Sequence, residues 1–173
     1  ATTTSCNTYE QLRYWTRLTV DVLDVRSPND AAFAPVVELP DHDEGVSALV
    51  DGATLWLAFV RPVDVPGDPS SYVRWFARPI DLSSPGAPAA GAAINVPGEL
   101  LAVDGTNATT RDWLWADGSI EGSVNQVRLN LAAAQATLLA TRRFDDQWVS
   151  EVKLDGAGHV LVNHRSTSWS TDE

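Results

Sequence analysis

Apolar and polar positions along this chain form a pattern that returns three times. Residues 46–59, VSALVDGATLWLAF, place apolar-rich runs (Val46 to Val50 and Leu55 to Val60) on either side of Asp51-Gly52. LLAVDGTNATTRDWLWAD at 100–117 does the same around Asp104-Gly105, with runs from Leu100 to Val103 and Trp113 to Ala116. SEVKLDGAGHVLVNH at 150–164 centres on Asp155-Gly156, between Val149 to Leu154 and Val160 to Val162. The three pairs lie 53 and 51 residues apart. Asp-Gly tolerates the positive φ of a tight turn, so each copy predicts a β-hairpin.

A second pattern runs out of phase with the first. VLDVRSPNDAAFAPVVELP (22–40) and PIDLSSPGAPAAGAAINVP (79–97) match with Asp24 and Asp81, Pro28 and Pro85, and Pro40 and Pro97 each 57 residues apart. In the third instance, VRLNLAAAQATLLATRRF (127–144), the prolines are gone, but Val127, Leu129 and Leu131 alternate with Gln126, Arg128 and Asn130. That is the period of a half-buried strand. Residue propensity favours a helix over LAAAQATLLA. The register of the repeat predicts strand instead.

Interleaving the two patterns gives a four-strand unit of about 50 residues, the size and strand content of a β-propeller blade. The expected division is a half-blade at 16–39, full blades at 45–97 and 98–144, and a half-blade at 149–165. That is about three blades' worth, whereas propellers close with roughly four to eight. The expected fold is therefore all-β, with β-propeller blades of four antiparallel strands belonging to a larger ring that another polypeptide chain completes. A compact β-sandwich is the alternative.

Asp24-Val25-Arg26-Ser27-Pro28 and Asp81-Leu82-Ser83-Ser84-Pro85, each followed by a proline-containing turn, resemble the Asp-[Val/Leu]-Ser-x-Pro signature of extracellular bacterial propeller repeats of the LVIVD type. The resemblance spans most of residues 18–165, although the third copy lacks the motif and the units are longer than that repeat. It implies a secreted, periplasmic or cell-surface propeller of a class mostly without a known catalytic activity, so a binding or scaffolding role is expected.

Composition narrows the partners. With 44% hydrophobic and 20% charged residues, the 173-residue chain has the makings of one domain with a buried core. Its 23 acidic and 12 basic residues give a net charge of -11, which repels nucleic acid and anionic membranes and favours a cation. No stretch has the length of apolar sequence needed for membrane insertion, and ATTTSCNTYEQLRYW lacks the basic start and apolar middle of a signal peptide. With no methionine anywhere, the sequence is expected to be a processed product or a fragment. Cys6 is the one cysteine. It is either a free thiol or half of an interchain disulfide.

Candidate chemistry follows from the expected topology. Connections from a fourth strand to the next first strand gather at one rim of a propeller. Here they read PDHDEG (40–45), PGE (97–99) and FDDQ (144–147). Asp41, Asp43, Glu44, Glu99, Asp145 and Asp146, with His42 beside them, form a candidate site for calcium, which takes carboxylate and carbonyl oxygens. Solvated turns in an acidic protein are the simpler explanation of the same residues. The same carboxylates would serve a hydrolase or lyase if two stood at a suitable separation. A nucleophile elbow, a P-loop, a paired-cysteine zinc motif and a dinucleotide fingerprint are all missing. His159 and His164 are five apart on an expected strand and point to opposite faces, so they do not chelate. Trp56, Trp75, Trp113 and Trp115 are expected to pack between sheets, and Trp15, Trp148 and Trp169 to line a partner surface. Asn107-Ala108-Thr109 matches a glycosylation sequon by composition alone.

Overall fold

A computed structural model describes residues 19–24, 32–39, 44–68, 72–116, 119–145, 147–155, 157 and 159–166. The fold is all-β, with no helix among the described residues. Four short strands come first: β1 (Thr19–Val20), β2 (Leu23–Asp24), β3 (Ala32–Phe33) and β4 (Val37–Glu38). β1 pairs with β4 and β2 with β3, both antiparallel. A five-stranded antiparallel sheet follows, built from β5 (Glu44–Asp51), β6 (Thr54–Val63), β7 (Tyr72–Asp81), β8 (Ala89–Ala90) and β9 (Ile94–Val96). β8 and β9 both pair with β7, so together they act as one interrupted fourth strand. A second meander runs through β10 (Glu99–Asp104), β11 (Asn107–Ala116), β12 (Ser119–Asn130) and β13 (Gln135–Asp145). The hairpin of β14 (Gln147–Leu154) and β15 (Val160–Ser166) joins it through one parallel bridge, Glu121 to Gln147.

The hairpins at Asp51-Gly52 and Asp104-Gly105 are present. In each, Asp is the last residue of the first strand and Gly opens a two-residue loop, at φ 56° for Gly52 and 59° for Gly105. Positive φ at the first loop position suits the right-handed twist of the flanking strands and is easiest for glycine. The third turn is longer. Its ladder closes at Leu154 and Val160, and Asp155 organises the loop by accepting from the backbone N–H groups of Ala157 (2.8 Å) and His159 (3.0 Å). In LAAAQATLLA residues 135–140 are strand, as the register predicts, and residues 131–134 are a turn instead. Asn130 Oδ1 accepts from the Ala133 N–H at 3.1 Å and fixes that turn.

Packing explains why the Leu55–Val60 run is continuous rather than alternating. The two faces of the five-stranded sheet are both covered. Trp56, Ala58, Ala77, Ile94 and Val96 pack against Leu100, Ala108, Val127 and Leu129 of the second meander. On the opposite face, Leu57 and Ile80 pack against Val37 and Leu39. The second meander is covered in turn by β14, where Val149 is buried and approaches Gly122 so closely that an added Cβ would lie 3.0 Å from its Cγ2. The sheets therefore stack in chain order.

Candidate functional site

The second meander has one face that changes character along its length. Ala108, Thr110, Asp112 and Leu114 of β11 stand opposite Val127, Asn125, Ser123 and Glu121 of β12, and Thr141 and Arg143 of β13 stand beyond Asn125 and Ser123. Side chains two apart on a strand share a face. Ala108 and Val127 belong to the core between the two large sheets. Further along the same face all of these residues but Leu114 are polar, on three adjacent strands. All but Thr110 line, with Pro97 and Trp113, a cleft of about 240 Å³.

Most of these polar groups are tied to one another. The Thr110 hydroxyl donates to the Pro97 carbonyl at 2.5 Å, and the Asn125 amide donates to the same carbonyl at 2.8 Å. Thr141 donates to Asn125 Oδ1 at 2.9 Å. Arg143 pairs with Glu121 at 3.2 Å. Asp112 differs: its carboxylate accepts from the N–H of its own neighbour, Trp113, at 2.9 Å and forms no ion pair among the described residues. Burial pushes the Asp112 carboxyl above the ordinary aspartate range, and the Trp113 N–H offsets that only in part.

The turn that supplies Pro97 is clamped in place. Gly98 has φ 102°, and a Cβ there would lie 2.3 Å from the Arg111 carbonyl oxygen. Glu99 pairs with Arg111 at 2.5 Å, with the two side chains only 15% and 17% exposed. The other end of the same guanidinium donates to the carbonyls of Val149 (3.3 Å) and Ser150 (3.1 Å), where β14 shifts register. Arg111 thus ties β10 and β11 to β14. Trp113 does likewise with aromatic contacts, to Trp75 on one side at 6.0 Å and to Trp148 on the other at 5.5 Å. At the opposite end of the strands Asp51 accepts from the Gly105 N–H at 2.9 Å, joining one hairpin to the next.

The candidate calcium residues are not drawn together by this arrangement where it can be followed. Glu99 is engaged by Arg111, and Asp145 is exposed at the end of β13. Glu44 is placed only as the first residue of β5, while Asp41, His42, Asp43 and Asp146 lie outside the described residues, as do Cys6, Trp15 and Trp169. Among the described residues no three His, Cys, Asp or Glu side chains come together to hold a metal. His159 turns to Asp155 at 2.6 Å and His164 to the Phe144 ring at 4.8 Å. Trp148 is half-buried, and its ring meets that of Trp113 at 5.5 Å and 46°.

No family model, curated protein or solved structure matches the chain. The site therefore rests on its own geometry. Asp112 and Glu121 were not among the residues the acidic turns pointed to. The signal that marks them is the row Ala108, Thr110, Asp112, whose first member is core and whose third is a carboxylate.

Proposed function

We propose that the chain is a noncatalytic binding and scaffolding segment of a β-propeller, in which the two four-stranded meanders are neighbouring blades and polypeptide outside the described residues supplies others. The observation that carries this reading is the succession of first strands. β5 contacts β10, and β10 contacts β14; β5 and β10 each open an antiparallel meander, and β14 opens a hairpin joined to β12 of the second meander by one parallel bridge. First strands brought side by side while the sheets stack face to face are what a propeller requires around its axis. On this reading β14 and β15, joined to the second meander by the single bridge from Glu121 to Gln147, begin a third blade.

Binding is favoured over catalysis by the way the cleft uses its groups. A two-carboxylate reaction needs both acids turned to the substrate. Glu121 is held by Arg143, and Glu99 by Arg111. The links through Asp51, Arg111 and the Trp75, Trp113 and Trp148 row have the character of a scaffold, since each joins one sheet to the next.

Native mass spectrometry of the protein isolated from its own cells, with and without reductant, tests the reading. A mass above 18.7 kDa is expected, with reduction lowering it if Cys6 joins two chains. A stable species of 18.7 kDa and nothing heavier overturns the proposal in favour of a sandwich.

A further inference from the structure

The polar end of this face runs from buried positions, Thr110 and Asn125, to an open rim where the Arg143 side chain is 70% exposed. A polar group that loses hydration on burial must find a partner. The hydroxyls and amide of Thr110, Asn125 and Thr141 find partners in one another and in the Pro97 carbonyl. Arg143 and Glu121 satisfy each other's charge. Asp112 is the group left over. It is a half-buried carboxylate on the wall of the cleft, with a single backbone N–H as its partner among the described residues.

We propose that this cleft binds an alkylammonium or guanidinium cation, with Asp112 as its counter-ion. Such a group carries several N–H donors on one positive charge, and the carboxylate and hydroxyl residues lining the cleft are Asp112, Ser123 and Glu121, the last shared with Arg143. The cleft volume, about 240 Å³, admits a group the size of one basic side chain and not a folded partner. The chain's net charge of -11 raises the local concentration of cations. A calcium ion fits less well, because it takes about six to eight oxygen ligands and one of the two cleft carboxylates is already engaged by Arg143. The cation has two sources, a free amine or the basic side chain of a partner protein. The inference does not depend on ring closure, since the cleft is lined wholly by residues between Pro97 and Arg143.

Isothermal calorimetry on the full chain distinguishes the outcomes. The probes are cadaverine, agmatine and end-blocked Gly-Lys-Gly and Gly-Arg-Gly peptides. Sodium chloride and tetramethylammonium, which has no N–H donor, serve as charge-screening controls. Saturable binding of at least one donor-bearing probe is expected, unmatched by either control. It should weaken by about tenfold or more in Asp112→Asn and stay unchanged in Asp145→Asn, whose exposed carboxylate lies outside the cleft. Stronger binding of the free amines assigns the site to a small molecule, and stronger binding of the peptides assigns it to a partner's side chain. Near-ultraviolet circular dichroism identical to wild type confirms that Asp112→Asn is folded, and the isosteric change makes this the expected result. No saturable heat from any probe up to about 10 mM, or equal affinity in Asp112→Asn, overturns the proposal.

Discussion

Gly98 is the residue with the least freedom to change. Its φ of 102° is already unfavourable for any side chain, and a Cβ would meet the Arg111 carbonyl carbon at 2.6 Å as well as its oxygen. Gly98→Ala must therefore move the Pro97 to Glu99 turn away from β11, and a loss of about 3 kcal/mol or more is expected in urea unfolding. Gly52→Ala is the control. Its φ is also positive, at 56°, but nothing lies within 4 Å of the added atom, so the expected cost is about 1–2 kcal/mol. Asp112 is the residue whose charge the fold opposes. Because its folded pKa is raised, its stabilising contribution is present in acid and is lost as pH rises from the ordinary aspartate value of 3.8 through the raised one. Asp112→Asn removes that loss, so its melting temperature relative to wild type should climb as pH goes from 3.5 to 7. A constant difference across that range would contradict the burial argument. Asp81 and Asp155 have the opposite sign. Hydrogen bonds from Ser83 and from His159 lower them, so their contribution is present at neutral pH and lost as pH falls below 3.8.

At the scale of elements, one hairpin holds another: Gly52 and Gly105 make their turns, and Asp51 accepts from the Gly105 N–H. Asp51→Ala should cost about 1–3 kcal/mol, the worth of a hydrogen bond to a charged group. Asp104→Ala, at an exposed site, should cost under about 0.5 kcal/mol. Equal urea midpoints for the two variants would remove the cross-sheet role. The hairpins and the strand around residues 126–130 were legible in the sequence because a turn dipeptide and a two-residue period are local signals, whereas the strand over residues 135–145 followed only from the register of the repeat, against local propensity. The register shifts on β5, β10 and β14, where the ladders skip Val46, Leu101 and Ser150, were not. A bulge inserts one residue into the alternation and leaves apolar content unchanged. The break between β8 and β9 also escaped the pattern. There Gly91 donates to the Pro79 carbonyl at 2.8 Å and Arg78 donates to the Gly91 carbonyl at 3.2 Å, so side chain and backbone together replace part of the ladder.

For the whole molecule, the five-stranded sheet lies between Val37 and Leu39 on one face and the second meander on the other, so the described sheets follow chain order. The cleft followed less readily. Acidic turns drew attention to Glu99, but the partner that neutralises it, Arg111, is twelve residues away across a bulged ladder and is recognisable only in three dimensions. Asp112 became visible once Ala108 fixed which side of β11 faces inward. The proposed arrangement makes β5, β10 and β14 the innermost strands of successive blades around one axis. The most direct test is a crystal structure of the assembled protein isolated at its native mass. The account predicts these three strands side by side around a central channel, with further four-stranded sheets closing the ring. A closed two-sheet sandwich, with β14 and β15 lying flat as an extension of the second sheet and no channel, would contradict it.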